Sequence, residues 1–355
     1  MSDSYPYLEV SGVPYEMGLQ HGEALPERIR RFIDMILEAV TGPERPKDQI
    51  LKRTHAAVPL LEEHCPNLLE EIRGLADGAG ISFEEAVLLQ LRGEVAQIPD
   101  GACTTYAISG AGTTTGEMFI GQNSDMGPEQ EEVGIVLKLT PARGPRILMW
   151  TFAGHLGYHG MNSEGVAHFA NALGGGPEWK FGLSHYPLKR MMLEQCTVSE
   201  VLTLLDRYPV ASSGNYVLSG GCGNYCNVEV TPDGYATNGP GEEGFVAHSN
   251  HFLCSPWARP ENYESSLKDS FPRLDRMRSL IQNRFGQIGV DDVIEFLSDH
   301  ENEPTSICRH THEHNDHPGG AGKTVCALIA EPEGGRMHVC KGNPCQGRWE
   351  TFEVD

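Results

Sequence analysis

The chain changes texture once, around Pro99-Asp100-Gly101, and that change limits what it can fold into. Before it, apolar residues recur at helical spacing: Ile29, Phe32, Ile33, Ile36 and Leu37, then Leu68, Leu69, Ile72, Leu75 and Ala76 behind Pro66. Ser82-Phe-Glu-Glu85 is a capping box that opens a further helix through Val87, Leu88, Leu91 and Val95. After it, short runs of β-branched and aromatic residues at 104–108, 118–121, 133–139 and 146–152 alternate with Gly, Thr and Pro, which predicts a meander of antiparallel strands. Pro187 and the capping box Thr197-Val-Ser-Glu200 predict paired helices at 188–196 and from 198. Strands at 216–219 and 227–231, helices at 273–284 and 290–297, and closing strands from Thr324 and Met337 follow. Helices, then strands interrupted by helix pairs, then strands again describe an α+β chain.

Composition excludes some partners. A formal charge of −22, from 27 basic and 49 acidic residues, disfavours nucleic acid and anionic membrane, both of which reward clustered Lys and Arg. No window approaches the roughly 18 uninterrupted apolar residues of a membrane span. The start Met-Ser-Asp-Ser-Tyr-Pro-Tyr carries no basic leader with an apolar run, so a cytoplasmic protein with its ten cysteines reduced is expected.

At the texture change itself, the turn formers Pro99, Asp100 and Gly101 put Cys103 where a loop enters a strand. On spacing alone, a cysteine at such a junction is far more often a buried small hydrophobe than a nucleophile. A thiol at the mouth of a sheet can nevertheless react, and small Gly101 and Ala102 leave the preceding peptide bond open to it. Attack there would cut the chain at Ala102/Cys103 and free an α-amine with a reference pKa of about 7.7–8.0, suited to take the proton of its own side chain. One residue would then supply nucleophile and base. The turns Gly110-Ala-Gly112 and Thr115-Gly116 predict a hairpin that returns Asn123 and Asp125 to the Cys103 end of the sheet, where a carboxylate could orient that amine.

Asp100-Gly-Ala-Cys103-Thr-Thr-Tyr106 and Gly121-Gln-Asn-Ser-Asp125 resemble the self-processing site of the acyl-coenzyme A:6-aminopenicillanic acid (isopenicillin N) acyltransferase family of N-terminal-nucleophile hydrolases. Gly18-Leu-Gln-His21-Gly22, Asn162-Ser-Glu-Gly165-Val, His248-Ser-Asn250-His and Ser306-Ile-Cys-Arg309 extend the resemblance along the chain. It implies a four-layer αββα sandwich and cleavage into residues 1–102 and 103–355, which stay associated as one folded unit. It implies the following roles: Cys103 as nucleophile through a thioester, Asn250 with its side-chain amide in the oxyanion hole, and Arg309 holding Asp125 or the acyl-carbonyl region. The substrate class implied is a small linear acyl-amide, with an acyl-coenzyme A donor and with no cofactor or metal. A bile-salt or acyl-amino-acid amidase of the same superfamily would differ only in its pocket, for which Tyr158 and the loop 174–180 are the candidates.

His21 reads as a satisfied structural histidine. His155, His159 and His168 are expected on differing strand faces, so they make a poor zinc set. Cys222 and Cys226 lack a second ligand pair at zinc spacing. The run His310-Thr-His312-Glu-His314-Asn-Asp-His317 departs from the family pattern. Four histidines in eight residues leave open a non-catalytic metal-binding protein, but without assignable companion ligands the run reads as a solvated loop.

Overall fold

The computed structural model describes residues 3–91, 94, 101–239, 243–254, 256–258, 268–311 and 322–355. Two sheets lie at its centre. The first has the strand order β1 (Tyr7–Gly12), β4 (Gly134–Pro141), β5 (Ile147–Phe152), β6 (His159–Asn162), β7 (Ala167–Ala172), β8 (Gly214–Gly220), β9 (Asn224–Thr231) and β10 (Gly234–Asn238). The second runs β11 (Phe245–His248), β2 (Ala102–Ile108), β3 (Phe119–Met126), β12 (Lys323–Glu331), β13 (Arg336–Lys341) and β14 (Trp349–Glu353).

Helices cover the outer faces because each carries one apolar stripe. On the first sheet lie α1 (Pro14–Ala24), α2 (Pro26–Val40), α3 (Lys47–His55), α4 (Val58–His64), α5 (Pro66–Ala79) and α6 (Phe83–Leu89), with α7 (His185–Leu193) and α8 (Val198–Arg207). Their buried residues, among them Phe32, Ile33, Ile72, Leu75 and Val87, share one core with Trp150, Phe152 and Phe169 of the sheet. On the second sheet, α9 (Ser270–Arg284) and α10 (Val290–Leu297) pack Leu274, Met277, Ile281 and Phe296 against Tyr106, Phe119 and Ile329. The result is the αββα sandwich.

The capping boxes at Ser82 and Thr197 form as expected, with Glu85 and Glu200 donating their amides to the cap hydroxyls at 3.2 Å. The meander needs correction. β2 and β3 do form a hairpin, but the turn Pro128–Glu132 carries the chain across to the other sheet before β4. The four runs are therefore split between the layers. Strand β1 was not foreseen, and it pairs in parallel with β4, Tyr7 opposite Val136 through Gly12 opposite Pro141. An exposed edge strand whose partner lies more than a hundred residues away leaves little local pattern. Helix α7 begins at His185, capped by Ser184, so Pro187 sits inside its first turn and not at its start.

Candidate active site

Cys103 stands second in β2, opposite Ser124, and Ala102 is paired with Asp125, so the hairpin alone sets the two chemistry-bearing residues side by side. Gly101 precedes them with φ +44°, and a Cβ there would lie 2.3 Å from the Asp125 carbonyl oxygen, so only glycine fits this bend.

The remaining contacts come from distant elements. The Cys103 N–H donates to Asn250 Oδ1 at 3.1 Å. Its carbonyl oxygen accepts from Asn171 Nδ2 at 3.0 Å and from the Arg273 guanidinium at 2.7 Å. The other arm of Arg273 donates to Asn250 Oδ1 at 2.8 Å. Asn250 is held in turn by Nδ2 donating to the Ala172 carbonyl at 2.9 Å. Asn250 thus meets the Cys103 main chain through its oxygen, with one of its two N–H groups on Ala172. Flipping the amide would set its NH2 against two donors, so the network fixes the orientation.

Asp125 accepts from Thr324 Oγ1 at 2.7 Å through Oδ1, whereas Oδ2 is buried without a hydrogen-bond partner among the described residues. Arg309 does not bond Asp125 directly; its guanidinium pairs with Asp269, which also accepts from Arg273 at 3.3 Å. Burial would raise the Asp269 carboxyl, but Arg273 and Arg309 outweigh it and hold it below the usual range. Burial raises Asp125 despite the opposing pull of Arg309 and Arg273. For the Cys103 thiol, burial first and Asp125 second push the pKa up to about 12, with Lys189 and Arg273 opposing.

The two sheets are stitched together at this point. Thr105 Oγ1 donates to Asn171 Oδ1 at 2.7 Å, and Gln122 Oε1 accepts from the Ala170 N–H at 2.9 Å. Beside Cys103 opens a cavity of about 300 Å³, walled by Tyr158, Leu173, Trp179, Tyr186 and Lys189, with Gly174–Gly176 along one side. Tyr158 and most of the 174–180 loop thus reach the place expected of them. Lys180 faces away and pairs with Asp233. Lys189 lies 4.3 Å from the Tyr158 ring centroid.

Among the expected residues, Ala102, Cys103, Asp125 and Asn250 come together, with Arg309 one carboxylate removed. Arg273, Asp269, Asn171 and Thr324 were not foreseen. No local motif marks Asp269 or Arg273. His21 is structural, its Nε2 accepting from the Gly154 N–H at 3.0 Å. His155, His159 and His168 are buried among aromatic rings. All ten cysteines are free, and Cys222 and Cys226 join no group of metal-ligating atoms among the described residues. His310 does not lack companions as expected, because His300, Cys308 and Cys345 lie around it; His312, His314 and His317 fall outside the described residues. No helix among the described residues is long and apolar enough to cross a membrane.

The chain is similar to known proteins in sequence and fold. The family model for acyl-coenzyme A:6-aminopenicillanic acid acyl-transferase matches residues 113–346. The 40 kDa form of the acyltransferase of that name from Emericella nidulans is 28% identical over 349 residues, 95% of this chain and 93% of that protein. An uncharacterized protein of Archaeoglobus fulgidus is 22% identical over 82% of this chain and 57% of its own length. Penicillin V acylase from Agrobacterium tumefaciens superposes with a TM-score of 0.51 at 11% identity, covering 71% of this chain and 86% of that one.

Proposed function

The chain belongs to the acyl-coenzyme A:6-aminopenicillanic acid acyl-transferase family, and from that premise we propose that it is a self-processing N-terminal-nucleophile amidohydrolase or acyltransferase whose nucleophile is Cys103. In the first step the Cys103 sulfur adds to the Ala102 carbonyl and the Ala102–Cys103 C–N bond breaks. The thiol proton passes to the departing nitrogen, leaving a thioester and a free amine. Water then releases Ala102 as a carboxylate and restores the thiol, giving chains of residues 1–102 and 103–355.

In the second cycle the liberated amine takes the thiol proton while sulfur attacks a linear acyl-amide. It hands that proton to the leaving amine, and the acyl-thioester passes to water or to an acceptor amine. Burial and Asp125 keep the Cys103 thiol protonated in the uncut chain, which suits a nucleophile activated by its own freed amine. Asp125, with one buried oxygen uncommitted, is suited to orient the resulting ammonium. Asn250 and Arg273 anchor the Cys103 main chain on either side. The aromatic walls suit an apolar acyl group, so a panel of acyl-amides and acyl-coenzyme A thioesters would separate a penicillin-type acyltransferase from a bile-salt or acyl-amino-acid amidase.

The single observation that carries this reading is the Cys103 nitrogen held 3.1 Å from Asn250 Oδ1 at the edge of an aromatic cavity. Intact-mass measurement of purified protein tests it: two fragments meeting at Ala102/Cys103 are expected, and Cys103→Ala should remain one inactive chain. An unbroken wild-type chain that turns over acyl-amides would overturn it.

A further inference from the structure

Apart from the Cys103 site, four metal-ligating side chains converge on the far side of Arg309. His300 lies just beyond α10, Cys308 and His310 flank Arg309 in the chain, and Cys345 stands in the turn after β13. One ligand atom from each lies within 4.8 Å of all the others. Cys308 Sγ is 3.6 Å from Cys345 Sγ, and His310 Nε2 is 3.8 Å from Cys308 Sγ and 3.4 Å from Cys345 Sγ. His300 Nε2 and His310 Nε2 are 3.0 Å apart.

These four separations are close to the edges of a tetrahedron of zinc ligands, and the His300 ligand atom lies within 4.8 Å of both sulfurs. With Zn–S of about 2.3 Å and Zn–N of about 2.0–2.1 Å, tetrahedral geometry sets S···S near ~3.8 Å, S···N near ~3.6 Å and N···N near ~3.3 Å. We propose that His300, Cys308, His310 and Cys345 form a four-ligand zinc site that ties the Arg309 segment to the turn after β13.

The surroundings are those of a supported site. Asn343 Nδ2 lies 3.5 Å from Cys308 Sγ, where it can donate to a thiolate, and 2.6 Å from the Arg309 carbonyl oxygen. The Cys308 N–H donates to the Asp299 carbonyl at 2.9 Å, and the Asp299 carboxylate is gripped by Arg276 at 2.7 and 3.1 Å. Two thiolates and two imidazoles select zinc over the oxygen-seeking Mg²⁺ and Ca²⁺. Four protein ligands leave no open position, so the role is structural. Binding releases two thiol protons to solvent and gives a centre with no net charge.

The test uses full-length, untagged protein grown with added zinc, and elemental analysis per chain. One zinc per chain is expected. It should be lost in a His300→Ala/Cys345→Ser double variant, whose changed side chains are at the surface, and kept in a His312→Ala/His314→Ala/His317→Ala variant. Cobalt substitution of the wild type should give tetrahedral ligand-field bands together with thiolate-to-cobalt charge transfer. Chelation should lower the Tm of the wild type and leave that of the double variant unchanged. Zinc-replete wild type with no metal and no such cobalt spectrum would overturn the assignment. So would zinc retained by the double variant, stoichiometric iron or copper instead, or a Cys308–Cys345 disulfide in its place.

Discussion

At the scale of single residues, the chemistry turns on groups that burial has made reluctant to ionise. Cys103 is pushed to about 12, and Asp125 is raised by the same desolvation. Lys189 and Arg273 oppose the shift at Cys103, and Arg309 and Arg273 oppose it at Asp125; Arg273 serves both, and its planar fork reaches the Cys103 carbonyl with one arm and Asn250 with the other. A lysine keeps the charge and loses the fork. Arg273→Lys should therefore fold, process slowly and lose about 10²-fold in turnover, the scale of a small misplacement of reacting groups; unchanged kinetics would remove Arg273 from the site. Gly101→Ala strains a positive φ and drives a Cβ into the Asp125 carbonyl, so self-cleavage should slow severely while circular dichroism stays native. A time course of intact mass after denaturing purification reads this directly. Cys103 and Asp125 were legible in the sequence as neighbours, because one hairpin, a local structure, sets Ala102 opposite Asp125, and their roles were implied by the family resemblance. Asn171, Asp269 and Arg273 were not, since each arrives from an element far along the chain.

At the scale of elements, the helical segment is held together by close approach of its own helices. Helices α1 and α5 cross with their backbones almost in contact. A Cβ on Gly18 would lie 2.0 Å from the Glu71 carbonyl oxygen, and one on Gly74 2.0 Å from that of Tyr15. Gly18→Ala or Gly74→Ala should cost about 1–3 kcal/mol or more by overpacking, while Gly42→Ala, which meets nothing within 4 Å, should be near neutral. Urea midpoints at constant m would show it, and equal midpoints for Gly18→Ala and Gly42→Ala would contradict the packing. Buried Glu71 on α5 also grips Arg190 on α7 with two bonds of 3.0 Å. This pair spans the proposed cut, as does the shared core. Residues 1–102 and 103–355 should hence co-elute in native gel filtration. Glu71→Ala leaves the buried Arg190 guanidinium with Glu194 and the Leu156 carbonyl as its partners, so the loss of the two charged bonds should cost about 1.5–3 kcal/mol in denaturation of the processed complex.

At the scale of the whole molecule, acid stability reflects histidines buried neutral. Burial, aided by Arg190, lowers His21 to about 4; burial with Lys189 lowers His168 to about 3 and His185 to about 4; burial with His248 and Arg273 lowers His251 to about 4. In the unfolded chain each titrates near ~6.5. Between that value and the folded ones the unfolded state binds more protons, so stability falls as pH drops below about 6.5 and continues to fall toward pH 4. Thermal or urea unfolding at pH 7.5, 6 and 5 should show a progressive loss; a flat profile would mean these rings are reached by solvent. The sequence by itself determined the α+β order, the helix starts with their capping boxes, and the Cys103–Asp125 hairpin, because each is written in residues a few positions apart. Only the tertiary structure decided which strands share a sheet, that Asn250 presents its oxygen to Cys103, and that His300, Cys308, His310 and Cys345 meet. Those pairings span tens to hundreds of residues, and chain closure over such distances leaves no periodicity for a sequence to display.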